Sequence, residues 1–190
     1  RGVRPLVLGK LGEGWVLASE TCALDIVGAE HVREIEPGEM IVIGPEGIKS
    51  TFPFERTAPR PCIFEKVYSS RPDSILGGQS IYETRRQIGI ELAKESPVEA
   101  DLVCPVPDSG TPAAIGFSHE SGIPYGMGII RNSYMGRTFI EPTEQIRNMG
   151  VRLKLNVNRA LIEGKRVILV DDSVVRGTTS RKIKEMILDA

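Results

Sequence analysis

Cysteine and long apolar segments are scarce in this 190-residue chain. The three cysteines, Cys22, Cys62 and Cys104, are odd in number and far apart, which argues against a disulfide framework and predicts a reducing, cytoplasmic location. No apolar run approaches the length of a membrane-spanning helix and no signal peptide is recognisable, so we expect no membrane association. With 41% hydrophobic and 26% charged residues, the composition is that of a globular protein.

Two common phosphate-binding motifs are also missing. The chain has no Gly-Lys-Ser/Thr of a P-loop and no G-x-G-x-x-G after a strand. A basic segment, residues 131–182, nevertheless carries eleven Lys or Arg against five Asp or Glu, in a chain of net charge −1. Because this excess is spread between acids and lacks interleaved aromatic residues, it favours a small polyphosphate ligand over nucleic acid.

The segment RVILVDDSVVRGTTS, residues 166–180, has the order strand, acidic edge, small-residue loop and helix. Its Val-Ile-Leu-Val run predicts a strand buried on both faces of a parallel sheet. The helix N-terminus that follows offers unpaired N–H groups to a phosphate, and Gly177 allows close backbone approach. Asp171 and Asp172 would repel a phosphate unless they hold sugar hydroxyls or a divalent cation such as Mg²⁺. The loop therefore predicts a phosphorylated sugar with a metal, against the plainer alternative of a solvated, capped loop.

The rest of the chain divides into a β-rich part and an alternating part. Short apolar runs between Gly and Pro turns predict strands in RPLVLG, GWVLAS and EMIVIG, all within residues 1–57. From Gly77 onward, strands and helices alternate, which predicts βαβ units and a parallel sheet. The expected fold class is therefore α/β.

Two local signals in the alternating part predict a helix and a second ligand loop. Ser80 and Glu83 form a capping-box pair that opens a helix running to about residue 94. Its apolar residues define the predicted core side: Ile81, Ile88 and Leu92. The predicted strand ADLVCPV then ends in PDSG, residues 107–110, which suits either a plain helix N-cap or a second anion contact.

The motif VILVDDSVVRGTTS resembles the phosphoribosylpyrophosphate (PRPP) loop of type I phosphoribosyltransferases. Its sequence is most similar to that loop in glutamine PRPP amidotransferases. This resemblance implies that the PRPP-binding residues come from two loops: Asp171, Asp172, Ser173, Arg176, Gly177, Thr178, Thr179 and Ser180 of the first, with Asp108, Ser109 and Gly110 of the second. It also implies that Mg²⁺ lies against Ser109, Asp171 and Asp172.

The first 57 residues resemble the later part of the N-terminal-nucleophile (Ntn) glutaminase domain of the same enzymes, through SETCALDIVGAE and HVREIEPGEMIVI. By resemblance, Gly2 and Asp25 match positions that hold glutamine. Such a domain works through a cysteine at the mature N-terminus, whereas this chain begins with Arg1. Cys22 is internal, and its apolar neighbours predict a small buried residue. We therefore expect the chain as given not to hydrolyse glutamine.

Two further segments resemble parts of the amidotransferases. PCIFEKVYSSRPDS resembles their connecting strand, which implies that Cys62 is a ligand of a [4Fe-4S] cluster whose other thiolates would lie beyond Ala190. Lys66 and Ser69 depart from the pattern, where the family more often has His and Phe. SYMGRTFIEP resembles a flexible loop that closes over PRPP and shapes an ammonia path. The residues that match this lid are Tyr134, Arg137, Phe139 and Lys154.

Together these resemblances imply an internal piece of an amidotransferase. The expected division is a partial glutaminase domain at 1–57, a connecting segment at 58–78 and a truncated phosphoribosyltransferase domain at 79–190. The implied reaction converts PRPP, glutamine and water to 5-phosphoribosylamine, glutamate and pyrophosphate, the first committed step of purine (IMP) biosynthesis. Purine nucleotides as feedback inhibitors and a homo-oligomeric intact enzyme are also expected.

Two alternatives remain open on the sequence. A PRPP-binding transcription regulator predicts a DNA-binding domain and a degraded lid, whereas the first half of this chain resembles a glutaminase. Another type I phosphoribosyltransferase, using a base in place of ammonia, leaves residues 1–57 and SYMGRTFIEP unexplained.

Overall fold

A computed structural model defines the fold over residues 1–133, 154–174 and 177–190, without the side chains of Thr178 and Thr179. Four residues that the resemblance implicates lie outside the described residues: Tyr134, Arg137, Phe139 and Arg176.

The described chain forms two compact units, Arg1–Thr84 and Arg85–Ala190. The sequence places domain boundaries at 57 and 78 instead, and these stay a prediction. Among the described residues, no helix is long and apolar enough to cross a membrane.

The first unit is built on a three-stranded antiparallel sheet in the order β2-β1-β3. These strands are β1 (Val7–Leu11), β2 (Gly14–Ala18) and β3 (Glu30–Glu34), with helix α1 (Thr21–Val27) between the last two. Val7 and Leu24 are fully buried and form the core of this unit with Ala29. The sequence predicts β1 and β2 but not β3, because the side chains of Glu-His-Val-Arg-Glu are mostly charged and lie exposed or half-buried.

The remaining elements of the first unit are short. They are the hairpin of β4 (Met40–Gly44) and β5 (Gly47–Thr51), a π-helical turn (Glu65–Ser69), and the two-residue strands β6 (Ile75–Leu76) and β7 (Gln79–Ser80). Glu39 ties β3 to this hairpin, because it accepts two hydrogen bonds from Arg33, at 2.6 and 2.8 Å, and one of 2.6 Å from Ser50. These partners, Arg33 first, lower the pKa of Glu39 to about 2.

The second unit contains the predicted alternation of helices and strands. In chain order its described elements are α2 (Ile81–Glu95, which begins in the first unit), β8 (Leu102–Pro105), α3 (Thr111–Ser121), β9 (Ile129–Arg131), β10 (Leu155–Val157), α4 (Arg159–Ile162), β11 (Val167–Val170) and α5 (Thr178–Leu188). β8 and β11 run parallel, and β9 pairs with β10 antiparallel. The parallel pair with its helices confirms the predicted α/β class.

The two parallel strands are buried between two apolar clusters. Val103 and Val170 pack on one face with Ala93 of α2 and with Ala114 and Phe117 of α3. The opposite cluster contains Cys104, Ile129 of β9 and Ile183 of α5, with Val167 and Leu169 packed against it. The alternating residues of each strand therefore face two layers, as the continuous apolar runs predict.

Helix α2 begins as predicted but presents a different face to the core. The amide of Glu83 donates to the hydroxyl of Ser80 at 3.3 Å, which is half of the predicted capping box. Ile81 is fully buried, whereas Ile88 and Leu92 are 41% and 40% exposed, so the predicted core side is wrong for both.

The buried face of α2 includes Gly89, where the backbones of α2 and α3 touch. A Cβ on Gly89 would lie 1.9 Å from the carbonyl oxygen of Ala113. One on Gly116 would lie 1.9 Å from that of Arg86. Only glycine allows the two helices to approach this closely.

Candidate functional site

The register of β11 against β8 brings the two predicted ligand loops to one edge of the sheet. Val170 lies opposite Pro105, and the amide of Val106 donates to the carbonyl of Val170 at 2.8 Å. Because both strands end here in the same direction, the residues after Val170 and those after Pro105 leave the sheet side by side. We call this place the carboxyl edge.

The loop after β8 packs directly on the end of β11. A Cβ on Gly110 would lie 2.3 Å from the carbonyl oxygen of Val170, so the loop touches the residue that precedes Asp171. The peptide between Pro107 and Asp108 is cis. Ser109 is half-buried and Asp108 is exposed at the tip of the loop. The family resemblance implies that Asp108, Ser109 and Gly110 form one contact region, and all three residues lie at the carboxyl edge.

The acids after β11 are close together and lack a cation among the described residues. Asp171 and Asp172 are half-buried, and Asp171 accepts a hydrogen bond of 2.9 Å from the amide of Asp172. Burial raises the pKa of Asp171, and the charge of Asp172 adds to this rise, while the amide hydrogen bond opposes it. Ser173 donates its hydroxyl to Asp172. An additional positive charge at this edge would therefore stabilise both carboxylates.

The N-terminus of α5 follows this acidic pair. Gly177 has a φ of +68° and immediately precedes Thr178, the first residue of the helix. A left-handed backbone is accessible to glycine at little cost and turns the chain into the helix. The first backbone N–H groups of α5 have no partner within the helix and are suited to an anion. Ser180 is half-buried in this first turn, and its role in binding a ligand stays a prediction.

The donor atoms at the carboxyl edge fit Mg²⁺ in a limited sense. Asp171 and Asp172 supply carboxylate oxygens, which hard cations prefer, and Ser109 could add a hydroxyl. Within the described residues, no group of three or more His, Cys, Asp or Glu side chains is placed to hold a metal ion. Since Mg²⁺ commonly uses one or two carboxylates together with substrate phosphates, this set fits a metal that arrives with its ligand.

Sequence reasoning missed Arg131, the last residue of β9. Its guanidinium donates to the carboxylate of Asp108 in an exposed ion pair. The two side chains line an open cavity of about 480 Å³ beside the loop after β8. Its other walls are Pro107, Met127, Ile130 and Ser133. This contact joins residues that are 23 positions apart, so the residue string alone could not single out Arg131.

Lys154 is the one implied lid residue that the structure describes. It is half-buried directly before β10, and its carbonyl accepts a hydrogen bond of 2.7 Å from the amide of Asn132. Its role in a lid stays a prediction.

Of the two residues implied for glutamine, Gly2 lines the described cavity of the first unit and Asp25 does not. Gly2 has a φ of +61° and lines a cavity of about 280 Å³ in the first unit, where a Cβ on it would lie 2.6 Å from Pro37. Asp25 is exposed on α1 and is absent from the walls of that cavity. Cys22 is buried, as its neighbours predict. A glutamine-binding role for Gly2 and Asp25 therefore stays a prediction.

Cys62 supplies only one thiolate to any cluster. It is half-buried and lines the same 280 Å³ cavity as Gly2. A [4Fe-4S] cluster takes four thiolates, and no other cysteine lies on the walls of this cavity. The described residues therefore do not by themselves fit a cluster.

Known proteins that match the chain share one name. No family model matches the chain. Its full length matches proteins called amidophosphoribosyltransferase from Rhizobium etli at 59% identity, Mycobacterium tuberculosis at 57% and Bacillus subtilis at 52%. The chain spans 39%, 36% and 40% of the lengths of these relatives.

Two solved structures share the fold over 99% of the chain at 51% identity. One is described as the allosteric regulatory enzyme of purine biosynthesis, with a TM-score of 0.91. The other is glutamine PRPP amidotransferase from Bacillus subtilis complexed with ADP and GMP, with a TM-score of 0.90. The chain spans 40% of the length of the first of these proteins and 41% of the second. Over its full length, the chain is therefore similar to a part of amidophosphoribosyltransferases.

Proposed function

We propose that the intact protein is a glutamine-dependent amidophosphoribosyltransferase that binds PRPP at the carboxyl edge of β8 and β11. The observation that carries this proposal is the register of the two strands. It brings the Pro107–Gly110 loop and the acids after Val170 together at one edge. PRPP has a 5′-phosphate, a ribose and a pyrophosphate, and the edge offers one kind of partner for each.

Each part of the edge would contact one part of the substrate. The first amides of α5, reached through Gly177, would hold the 5′-phosphate. Asp171 and Asp172 would accept hydrogen bonds from the ribose hydroxyls, and the amides of the loop after β8 would meet the pyrophosphate. We include Arg176, Thr178 and Thr179 among the PRPP-binding residues because they belong to the motif that resembles the PRPP loop.

The chemistry at ribose C1 needs little acid–base help from the protein. Pyrophosphate is a good leaving group, so the main tasks are to orient the substrate, admit ammonia and exclude water. Mg²⁺ bound with PRPP would neutralise charge that develops on the leaving pyrophosphate. The proposed lid residues Tyr134, Arg137, Phe139 and Lys154 would close the site and shape the path for ammonia.

Further properties of the intact enzyme belong to the same proposal. One relative's structure was solved with ADP and GMP, which supports purine nucleotides as regulators here. The family resemblance also supports glutamine as the ammonia source, with Gly2 and Asp25 as its contacts. It further supports a cluster at Cys62, a homo-oligomer and a cytoplasmic location. The two alternative functions are disfavoured because the relatives that match the full length of the chain are named amidophosphoribosyltransferases.

An assay of pyrophosphate release from PRPP by the intact protein tests the proposal. We expect release that depends on Mg²⁺ and on either glutamine or an ammonium salt. The double variant Asp171→Asn, Asp172→Asn should lose about a hundredfold or more of this activity, since it removes the groups that orient the ribose. The matched control is Asp189→Asn at the far end of α5, which should keep the wild-type rate.

The outcomes separate the three functions. Release supported by a purine or pyrimidine base and not by ammonia would indicate another phosphoribosyltransferase. PRPP binding without turnover under any of these conditions would indicate a regulator.

A further inference from the structure

Asp101 and Arg166 form a forked contact at the opposite end of the same two strands. They directly precede Leu102 of β8 and Val167 of β11. The guanidinium of Arg166 donates from Nε at 3.3 Å and from Nη2 at 3.2 Å to the two oxygens of Asp101. The backbones join in, because the amide of Arg166 donates to the Asp101 carboxylate and the amide of Asp101 donates to the carbonyl of Arg166, both at 2.8 Å. Glu99 lies 3.5 Å from Arg166 as a second acid.

The apolar side chains of β8 and β11 do not by themselves specify the register of the two strands. Leu-Val-Cys-Pro and Val-Ile-Leu-Val are continuous apolar runs with both faces covered. An alternating pattern would penalise a slipped pairing, but a uniformly apolar strand keeps suitable side chains on both faces after a slip. A slip of two residues would move one strand by about 7 Å along the other.

A change of register would separate the two ligand loops. At the carboxyl edge, the loop after β8 meets β11 through the bond from Val106 to Val170 and the close approach of Gly110 to the Val170 carbonyl. Both contacts exist only in the observed pairing. The fork is four residues upstream in each strand, so it fixes the same register without touching the site.

We propose that Asp101 and Arg166 are positioning residues for PRPP, which act by holding the two ligand loops in register. This inference rests on the proposed function, since it concerns a ligand that spans both loops. PRPP would contact the loop after β8 through its pyrophosphate and the loop after β11 through its ribose phosphate. Ribose 5-phosphate would contact only the loop after β11.

A solvent-exposed ion pair commonly contributes little to stability, so a fold-stability measurement alone does not test this role. The discriminating quantity is the difference between a ligand that spans both loops and one that does not. If the loops move relative to each other, the spanning ligand loses affinity while the one-loop ligand keeps it.

The experiment is calorimetric titration of the intact protein with PRPP and with ribose 5-phosphate, each with Mg²⁺. The variants are Asp101→Asn, Arg166→Gln and the conservative Arg166→Lys, which keeps the charge but loses the planar fork. We expect about a tenfold weaker affinity for PRPP in the first two and a smaller loss in the third. Affinity for ribose 5-phosphate should stay within about twofold of wild type.

A matched control removes a comparable ion pair that has no role in strand register. Glu91 pairs with Lys94 at 3.1 Å on α2, and both side chains are about half exposed. Glu91→Gln should leave both affinities unchanged. Arg166→Lys keeps the test open if either other variant fails to fold, because it leaves both charges in place.

Three results would overturn the inference. Unchanged PRPP affinity in all three variants, or an equal loss for PRPP and ribose 5-phosphate, would remove the positioning role and leave the proposed function intact. Failure of the unmodified protein to bind PRPP would overturn both.

Discussion

Both ends of the β8–β11 pair carry acidic residues, but the pKa of Asp101 at one end and that of Asp171 at the other shift in opposite directions. At the amino end, hydrogen bonds from Arg166 lower the pKa of Asp101. At the carboxyl end, no described Lys or Arg pairs with Asp171, and burial together with Asp172 raises its pKa. The amino end is therefore already satisfied, whereas the carboxyl end would gain from a cation or from hydroxyl donors. A site prepared for a ligand is expected to look unfavourable without that ligand.

The largest expected effect concerns α3, the helix that follows the loop after β8. Gly116→Ala would place a Cβ 1.9 Å from the backbone oxygen of Arg86, which cannot turn aside as a side chain can. Alanine gains about 1 kcal/mol over glycine in helix propensity, but overpacking of this kind costs about 3 kcal/mol or more. We expect a net loss of about 2 kcal/mol in the free energy of unfolding.

Chemical denaturation of the intact protein measures this loss. Glu120→Ala, an exposed change on the same helix, is the control and should stay within about 0.5 kcal/mol of wild type. A Gly116→Ala protein as stable as the control would show that α2 and α3 do not meet through their backbones.

The next prediction compares the two ends directly at neutral pH. Asp171→Asn removes a carboxylate whose ionisation is disfavoured in the fold, so it should raise the midpoint of thermal unfolding. Asp101→Asn removes an acceptor that is favoured in its ionised form, so it should lower the midpoint. Opposite shifts support the comparison. Shifts of the same sign would mean that the two ends do not differ as described.

The smallest effect is the pH dependence of those shifts. The lowered pKa of Asp101 gives stability that is present above the unfolded-state pKa of about 4 and is lost as pH falls through the lower folded-state value. For Asp171 the sign is reversed. Its raised pKa makes ionisation a penalty at neutral pH, which is relieved as pH falls through the folded-state value towards about 4.

Thermal unfolding between about pH 2 and pH 7 follows both groups. The deficit of Asp101→Asn should shrink only at the acidic end of the range. The gain of Asp171→Asn should disappear at a higher pH than that deficit does. A reversed order would contradict the assigned directions of the two pKa values.

Much of the carboxyl edge was predictable because it depends on chain order. An apolar run followed by Asp171, Asp172 and Gly177 specifies strand, acids and helix start without knowledge of the neighbours. Parallel strands then place their ends together by topology. The start of α2 was predictable for the same reason, since Ser80 and Glu83 are local signals.

The features that the sequence did not predict depend on contacts between distant segments. The core side of α2 is wrong for Ile88 and Leu92 because periodicity counts large apolar residues, whereas the helix packs through Gly89. Arg131 and the Asp101–Arg166 fork require the pairing of strands far apart in the chain. The charged strand β3 is stabilised by its hydrogen bonds to β1 and not by an apolar face.

The most direct test of the central claim is calorimetric titration of the intact protein with PRPP, with and without Mg²⁺. The comparison protein is the double variant Asp171→Asn, Asp172→Asn. We expect binding by the unmodified protein that depends on Mg²⁺ and vanishes in the variant, because these acids provide the carboxylates of the edge. Equal binding by a correctly folded variant would contradict the assignment of PRPP to the carboxyl edge of β8 and β11.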